Sequence, residues 1–235
     1  MSTNTDATAK SASENAYDVI KADILTCRHR PGAALYEGDI SSKLGVSKTP
    51  VREALGALTQ EGLVVATPRQ GYRVADITLA DVQEIFQLRL LLEPAAAELA
   101  AERANPEQLQ RLRELAEMDA HSDYVDNVMR IRQFHSALAA ASGNSRLAYS
   151  LERLLDGAQR LYYAGLNLSP SVGDHIDGHR ELVDAIIKGN HHLAAKMARE
   201  HVESDRLKVI DAILASLSGP NPNAATALVG VFNPD

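Results

Sequence analysis

Residues 44–55, LGVSKTPVREAL, contain the turn and the start of the second helix of a predicted helix-turn-helix motif. Two short helical patterns meet there at a glycine-containing turn. Thr49 has the side chain of a helix N-cap, and Pro50 suits the first helical position because proline has no N–H to leave unsatisfied. Lys48 and Arg52 then lie at the end of the helix that such motifs present to base edges in the major groove. The stretch therefore predicts DNA binding.

The residues that follow predict a two-stranded β-hairpin. Residues 62–67 (GLVVAT) form a β-branched run, residues 68–71 (PRQG) a turn, and residues 72–74 (YRV) a second strand. Arg69 and Arg73 lie in or beside the predicted tip, where they suit contacts with phosphate or the minor groove. An ordinary helical hairpin with a basic second helix is the alternative interpretation. The basic hairpin favours a winged helix-turn-helix instead.

Downstream of residue 76, apolar residues recur at helical spacing almost throughout. The predicted helices begin near Thr78, Asn105, Asp123, Ser145, Asp174 and His191, with Pro94 bending or dividing the first and a loop at residues 165–173. We therefore predict a mainly α protein in which a winged helix-turn-helix precedes an all-α bundle of six or seven helices. Its predicted parts are an N-terminal tail (1–13), a DNA-binding domain (14–76), a helical domain (77–217) and a C-terminal tail (218–235).

Composition agrees with a two-domain DNA-binding protein. The 235 residues are 45% hydrophobic with three Phe and no Trp, which favours helix packing over a β-sandwich. The net charge of −7 argues against a simple nucleic-acid coat protein. Basic residues nevertheless concentrate on the segments predicted to face DNA, namely Arg28, Arg30, Lys43, Lys48, Arg52, Arg69 and Arg73. A single cysteine, with no signal-peptide pattern and no apolar run of ~20 residues, predicts a soluble cytoplasmic protein.

Residues 14–76 resemble the GntR family of bacterial transcription regulators. The resemblance rests on four motifs: PG at 31–32, GVSKTPVREAL at 45–55, EGLV at 61–64 and GYRV at 71–74. It implies a homodimer that reads a two-fold DNA operator, with contacts from Ser47, Lys48, Thr49, Arg52, Arg69 and Gly71. The chain departs from the family at two positions: Lys48 stands where the family usually has Arg, and Gly38 stands where it often has Arg.

The helical region resembles the FCD effector domain of the family's FadR branch. The motifs are RLLLE at 89–93, FHSAL at 134–138 with SGN at 142–144, HRELVDAI at 179–186, and His201. The resemblance implies a regulator that is not an enzyme, a repressor released from its operator by a small carboxylate-bearing metabolite. Two alternatives remain: an activator or architectural protein without a metal-dependent effector site, and a metal-dependent hydrolase fused to a DNA-binding head. No H-E-x-x-H spacing supports the hydrolase.

The resemblance also implies a metal site. His135, His179 and His201 match histidines that, in the family, join an Asp one turn before the first of them to hold a divalent cation. Ile131 stands at that Asp position. Three imidazoles with an open position still suit one zinc or nickel ion per chain. A metal-free pocket using the same histidines and purely structural histidines are the alternatives. His175, one turn before His179, could compensate for Ile131 or could be a solvated cap.

Arg89 is the predicted partner for an anionic effector, beside the three histidines. A guanidinium holds a carboxylate through two hydrogen bonds. The alternative is an ion pair with Glu93 at the i,i+4 spacing that stabilises helices. The sequence leaves both interpretations open.

Overall fold

The structure is a computed structural model that describes residues 10–69, 71–117, 124–164 and 172–218, without the side chains of residues 124–125, 172–177 and 212–218. One compact unit ends at Asp76 and another begins at Ile77. Among the described residues, no helix combines the length and the hydropathy that a bilayer span requires.

The N-terminal unit is a winged helix-turn-helix. Its elements are α1 (Ala12–Leu25), β1 (Ala34–Leu35), α2 (Glu37–Leu44), α3 (Lys48–Gln60), β2 (Val64–Thr67) and β3 (Gly71–Val74). Helix α2 ends at Gly45, whose φ of 68° is the left-handed conformation that closes the turn toward α3. The core is formed by apolar residues of α1, α3 and the sheet, including Ile20, Ile24, Val51, Leu55, Leu58 and Val74.

The sheet has one more strand than the sequence predicted. Strands β2 and β3 form the predicted antiparallel hairpin, with Val64 opposite Val74 and Thr67 opposite Gly71. Strand β1 adds to the other edge of β3, so the order is β1-β3-β2. Two residues are too few for an alternating pattern, which explains why β1 left no signal in the sequence.

The C-terminal unit is all-helical across its described residues. Its six helices are α4 (Leu79–Arg103), α5 (Pro106–Ala116), α6 (Tyr124–Ala141), α7 (Ser145–Tyr163), α8 (Val172–Ile187) and α9 (His191–Ser218). Helix α4 packs against α6, α7, α8 and α9 and so lies centrally in the bundle. The largest core cluster joins all of these helices except α7, through residues such as Ala97, Leu112, Phe134, Leu138, Leu182 and Ala198.

Several helix boundaries differ from the expectations. Helix α1 begins at Ala12, because Ser11 and Glu14 form a capping box inside the expected tail. Helix α4 is continuous through Pro94, so the proline does not divide it. Helix α8 begins at Val172, inside the predicted loop. The rest of that loop and residues 219–235 lie outside the described residues.

Candidate functional sites

The recognition helix α3 begins at Lys48, two residues earlier than the sequence suggested. Ser47, in an extended conformation, is its N-cap, and its side chain makes no capping hydrogen bond. Thr49 is therefore the second helical residue, and the prediction that it caps the helix was wrong. Pro50 did not define the register because every N–H of the first turn lacks an intrahelical acceptor, so proline is tolerated at any of those positions.

Arg52, predicted to contact bases, is held by an acidic residue of α2. Its Nε and Nη2 donate to the two carboxylate oxygens of Glu37 at 2.9 and 2.7 Å. These hydrogen bonds lower the pKa of Glu37 below its usual value. The Arg52 side chain remains 63% exposed, so it is also accessible to DNA. A Cβ on Gly38 would lie 3.9 Å from the Lys48 side chain, so Lys48 extends beside the position where the family often has Arg.

The wing presents Arg69 and Gly71 at an exposed turn. Arg69 has a φ of 64° and Gly71 a φ of 91°, so both adopt left-handed conformations where the hairpin reverses. Arg73, by contrast, is half-buried and pairs with Asp76 at 2.5 Å. Arg69 is thus the better-placed cation of the wing.

Two other basic residues of the N-terminal unit are bound to a buried acid. Asp23 on α1 accepts hydrogen bonds from Arg28 at 3.2 Å and from Lys43 at 3.1 Å. Its side chain is 7% exposed. Arg28 and Lys43 were expected to face phosphate, and the structure shows that both also form ion pairs with Asp23.

The three predicted metal ligands come together in the C-terminal unit. His135 lies on α6, His179 on α8 and His201 on α9, and one ring nitrogen from each lies within 4.8 Å of the other two. The Nε2 atoms of His179 and His201 are 3.2 Å apart. Phe134 stacks on His179 with ring centroids 3.9 Å apart, which restricts the orientation of that imidazole. The side chain of His175 lies outside the described residues.

A buried carboxylate orients His135. Glu93 Oε2 is 2.8 Å from His135 Nδ1, which leaves Nε2 for a ligand. A carboxylate behind a ligating histidine is a common feature of metal sites because it defines the tautomer and the ring orientation. His135 Nε2 is buried and has no hydrogen-bond partner among the described residues. The residues present therefore fit a divalent cation.

Arg89 forms the predicted alternative ion pair and is completely buried. Its Nε donates to Glu93 Oε1 at 2.5 Å. Burial raises the pKa of Glu93, but the charge of Arg89 and the contact with His135 lower it more strongly, to about 2. The Nη1 of Arg89 has no hydrogen-bond partner among the described residues. The ion pair with Glu93 therefore leaves part of the guanidinium available for an anion.

Asp205, which the sequence analysis did not assign, and Tyr162 complete this surrounding. Asp205 on α9 is fully buried, with Oδ2 3.7 Å from His201 Nε2 and 3.5 Å from Arg89 Nη2. The Tyr162 hydroxyl lies 3.4 Å from the same oxygen. The i,i+4 spacing of His201 and Asp205 on one helical face was the available signal for Asp205.

A small cavity adjoins this cluster. It has a volume of about 10 Å³ for water-sized spheres, roughly one water molecule. Arg89, His135, Ile131, Gln159 and Tyr162 are among its lining residues. Ile131 thus does lie at the site, but it contributes only apolar surface there.

Comparison with known families agrees with both units. Residues 12–74 match the family described as "Bacterial regulatory proteins, gntR family", and residues 84–204 match the "FCD domain". The chain belongs to the GntR family. It therefore combines a GntR winged helix-turn-helix with an FCD domain, as the sequence motifs predicted.

Two similar proteins can be aligned with most of this GntR chain. The HTH-type transcriptional regulator YdhC of Bacillus subtilis is 30% identical over 80% of this chain and 87% of its own length. The HTH-type transcriptional repressor GlaR of Escherichia coli is 28% identical over 79% of this chain and 90% of its own. These relatives are transcriptional regulators rather than enzymes, so the prediction of a bacterial regulator without enzymatic activity is confirmed.

Solved structures share the fold. E. coli McbR/YncC superimposes with a TM-score of 0.73 at 22% identity, covering 86% of this chain and 99% of that one. A GntR regulator from Rhodococcus sp. RHA1 gives 0.74 at 24% identity over the same shares. The mainly helical fold with a small antiparallel sheet is therefore confirmed.

Proposed function

We propose that this GntR regulator is a repressor that leaves its operator when a small carboxylate-bearing metabolite binds in the FCD domain. One observation carries the proposal: Arg89 Nη1 and His135 Nε2 are both buried, lack hydrogen-bond partners among the described residues, and belong to residues that line one cavity. Buried polar groups without partners are costly, so they mark a place where an external ligand completes the structure. The guanidinium of Arg89 is a positively charged hydrogen-bond donor, and it lies beside the His135 imidazole, so the pair suits a carboxylate.

The proposed metal is one zinc or nickel ion per chain, held by His135, His179 and His201. Imidazole nitrogens suit both ions. Bound there, the ion would supply positive charge for an incoming carboxylate. Glu93 would hold the His135 ring in position, and Arg89 would bind the anion's other oxygen.

On DNA, the proposed contacts come from residues that the structure leaves at the surface. All six predicted contact residues are exposed: Ser47, Lys48, Thr49, Arg52, Arg69 and Gly71. The start of α3 would enter the major groove and the wing would contact the adjacent backbone. A homodimer would match a two-fold operator whose half-sites lie about one helical turn, or a multiple, apart. The proposed location is the cytoplasm, and placement in the FadR branch stays a prediction.

The DNA-binding part is tested with fragments from upstream of the chain's own gene and its neighbours. Footprinting should show two related half-sites, and light scattering should show a dimer. Arg52→Ala should abolish specific binding without unfolding the protein, whereas Arg146→Ala, an exposed arginine of α7, should not. Operator affinity retained by Arg52→Ala would contradict the assignment of the recognition helix.

The effector part is tested by adding a panel of small carboxylates to the protein–operator complex, with and without zinc. At least one should release the wild-type protein. His179→Ala should keep operator affinity and lose the response. A carboxylate that instead tightens operator binding and increases transcription would identify an activator.

A further inference from the structure

Asp205 lies next to His201, one of the three histidines of the cluster. Its Oδ2 is 3.7 Å from His201 Nε2, the same atom that lies 3.2 Å from His179 Nε2. The other ring nitrogen of His201, Nδ1, faces Gly178, where a Cβ would approach it to 3.1 Å. Asp205 therefore approaches His201 at Nε2, the nitrogen that is directed at His179.

Glu93, the other buried carboxylate, occupies a different position. It contacts His135 through Nδ1, on the side away from the unpartnered Nε2. Glu93 therefore supports a ligand, whereas Asp205 is placed to become one. Its position also differs from Ile131, which lies one turn before His135 on α6.

The buried charges favour a cation at this place. Glu93 and Asp205 are acidic, and the guanidinium of Arg89 contacts both of them. Arg89 pairs closely with Glu93 at 2.5 Å but lies 3.5 Å from Asp205, beyond the ~2.7–2.9 Å of a charge-assisted hydrogen bond. Buried charges need compensation, so a cation held at the imidazoles would stabilise the carboxylate of Asp205.

We propose that Asp205 supplies the anionic ligand of a divalent cation held by His135, His179 and His201. The inference rests on the metal binding proposed above. Three imidazoles and one carboxylate form a donor set that zinc accepts readily. Ligand atoms about 2.0–2.1 Å from a tetrahedral zinc lie roughly 3.3 Å from one another, and the 3.2 and 3.7 Å separations at His201 bracket that value. Asp205 on α9 would thus supply the negative charge that the family's Asp supplies from α6, where this chain has Ile131.

Zinc affinity of the full-length protein, measured by competition with a chromophoric chelator, tests this assignment. Asp205→Asn should lose more than the ~10- to 100-fold expected from removing a partner behind a ligand, the loss expected for Glu93→Gln. Glu203→Gln is the matched control on α9, because that side chain is 41% exposed and pairs with Arg206. The absorption bands of the cobalt-loaded protein should change in Asp205→Asn and stay unchanged in Glu203→Gln.

A stability measurement and a second variant distinguish a metal-ligand role of Asp205 from a purely structural one. Asp205→Asn leaves the close Arg89–Glu93 pair intact, so the metal-free variant should unfold at nearly the wild-type temperature. Adding Ile131→Asp to Asp205→Asn returns a carboxylate to the site from α6 and should restore zinc affinity.

The outcomes distinguish this inference from the proposed function. Unchanged zinc affinity and cobalt spectrum in Asp205→Asn, with a zinc-binding wild type, would overturn the role of Asp205 and leave the three-histidine site standing. A wild type that binds neither zinc nor cobalt would overturn both. Operator binding by the same samples reports separately on the DNA-binding function.

Discussion

Both carboxylate oxygens of Glu37 accept hydrogen bonds from the guanidinium of Arg52, across the turn that joins the two helices of the DNA-reading motif. These two hydrogen bonds occupy Nε and Nη2 of Arg52 and so determine how the rest of the guanidinium is oriented. Because Arg52 is predicted to contact bases, its orientation bears on specificity. Glu37 itself is acidic and close to the expected phosphate backbone, so simple electrostatics would make it unfavourable for DNA binding.

Glu37→Gln should therefore separate orientation from charge. Arg52 would lose the carboxylate that binds both its Nε and its Nη2. The preference for operator over random DNA should therefore fall by on the order of 1 kcal/mol in binding free energy, since base-specific arginine contacts are worth about 1–3 kcal/mol. Affinity for random DNA should stay constant or rise, because a negative charge is removed. Fluorescence anisotropy with both duplexes at two salt concentrations measures this. Glu53→Gln, exposed on α3, is the control. Equal gains for both duplexes would show that Glu37 acts only through its charge.

Two glycines of the DNA-binding unit should respond oppositely to alanine. Gly45 has a φ of 68°, so Gly45→Ala should destabilise the unit by about 1–2 kcal/mol. Gly56 lies within α3, and a Cβ there would meet nothing within 4 Å, so Gly56→Ala should stabilise it by up to about 1 kcal/mol. Hydrogen exchange of α1 and α3 in increasing urea gives both values. The same sign for both variants would contradict the described turn.

The buried Asp23 should make the DNA-binding unit sensitive to acid. Burial raises the pKa of Asp23, but the hydrogen bonds from Lys43 and Arg28 lower it below its usual value. A folded-state pKa below the unfolded value of about 3.9 adds stability above that pH, and the stability is lost as the pH falls through the folded-state pKa. Hydrogen exchange of α1 at pH 5 and pH 3 should show the loss. Asp23→Asn should shrink it, whereas the exposed Asp39→Asn should not.

The Arg89–Glu93 pair predicts a strong effect in the FCD domain. Both side chains are at most 2% exposed, so Glu93→Ala leaves a buried guanidinium without its closest anionic partner. Breaking a buried ion pair from one side costs about 3–5 kcal/mol. Chemical denaturation should show this loss. Glu98→Ala, on the same helix with a 42% exposed side chain, should change stability by no more than ~0.5 kcal/mol. A similar small effect at Glu93 would contradict its buried pairing.

Local patterns in the sequence were enough to predict most of the secondary structure. Helix α7 begins at Ser145, where it was predicted to begin. Residues 64–74 form the predicted hairpin, because β-branched residues flank a turn there. Three of the proposed ligands were also predicted, because the resemblance to the FCD domain implies His135, His179 and His201 as a ligand set. Register within the first turn of α3 was not predictable, since Ser47, Thr49 and Pro50 are all compatible with several positions there.

The amino-acid order by itself determined the two-unit plan and the DNA-reading motif, because these depend on contacts or periodicities within a few residues. The three histidines were predicted as ligands from the resemblance to the FCD domain. Tertiary packing alone decided which side chains meet across helices. It brought Asp205 of α9 toward Arg89 of α4, placed Glu93 behind His135, and paired Glu37 with Arg52. Partners that are 15 to 116 positions apart, such as Glu37 with Arg52 and Arg89 with Asp205, leave no periodic signal. Their interaction depends on how the helices pack. Burial then determines which carboxylates must have their negative charge compensated by a cation.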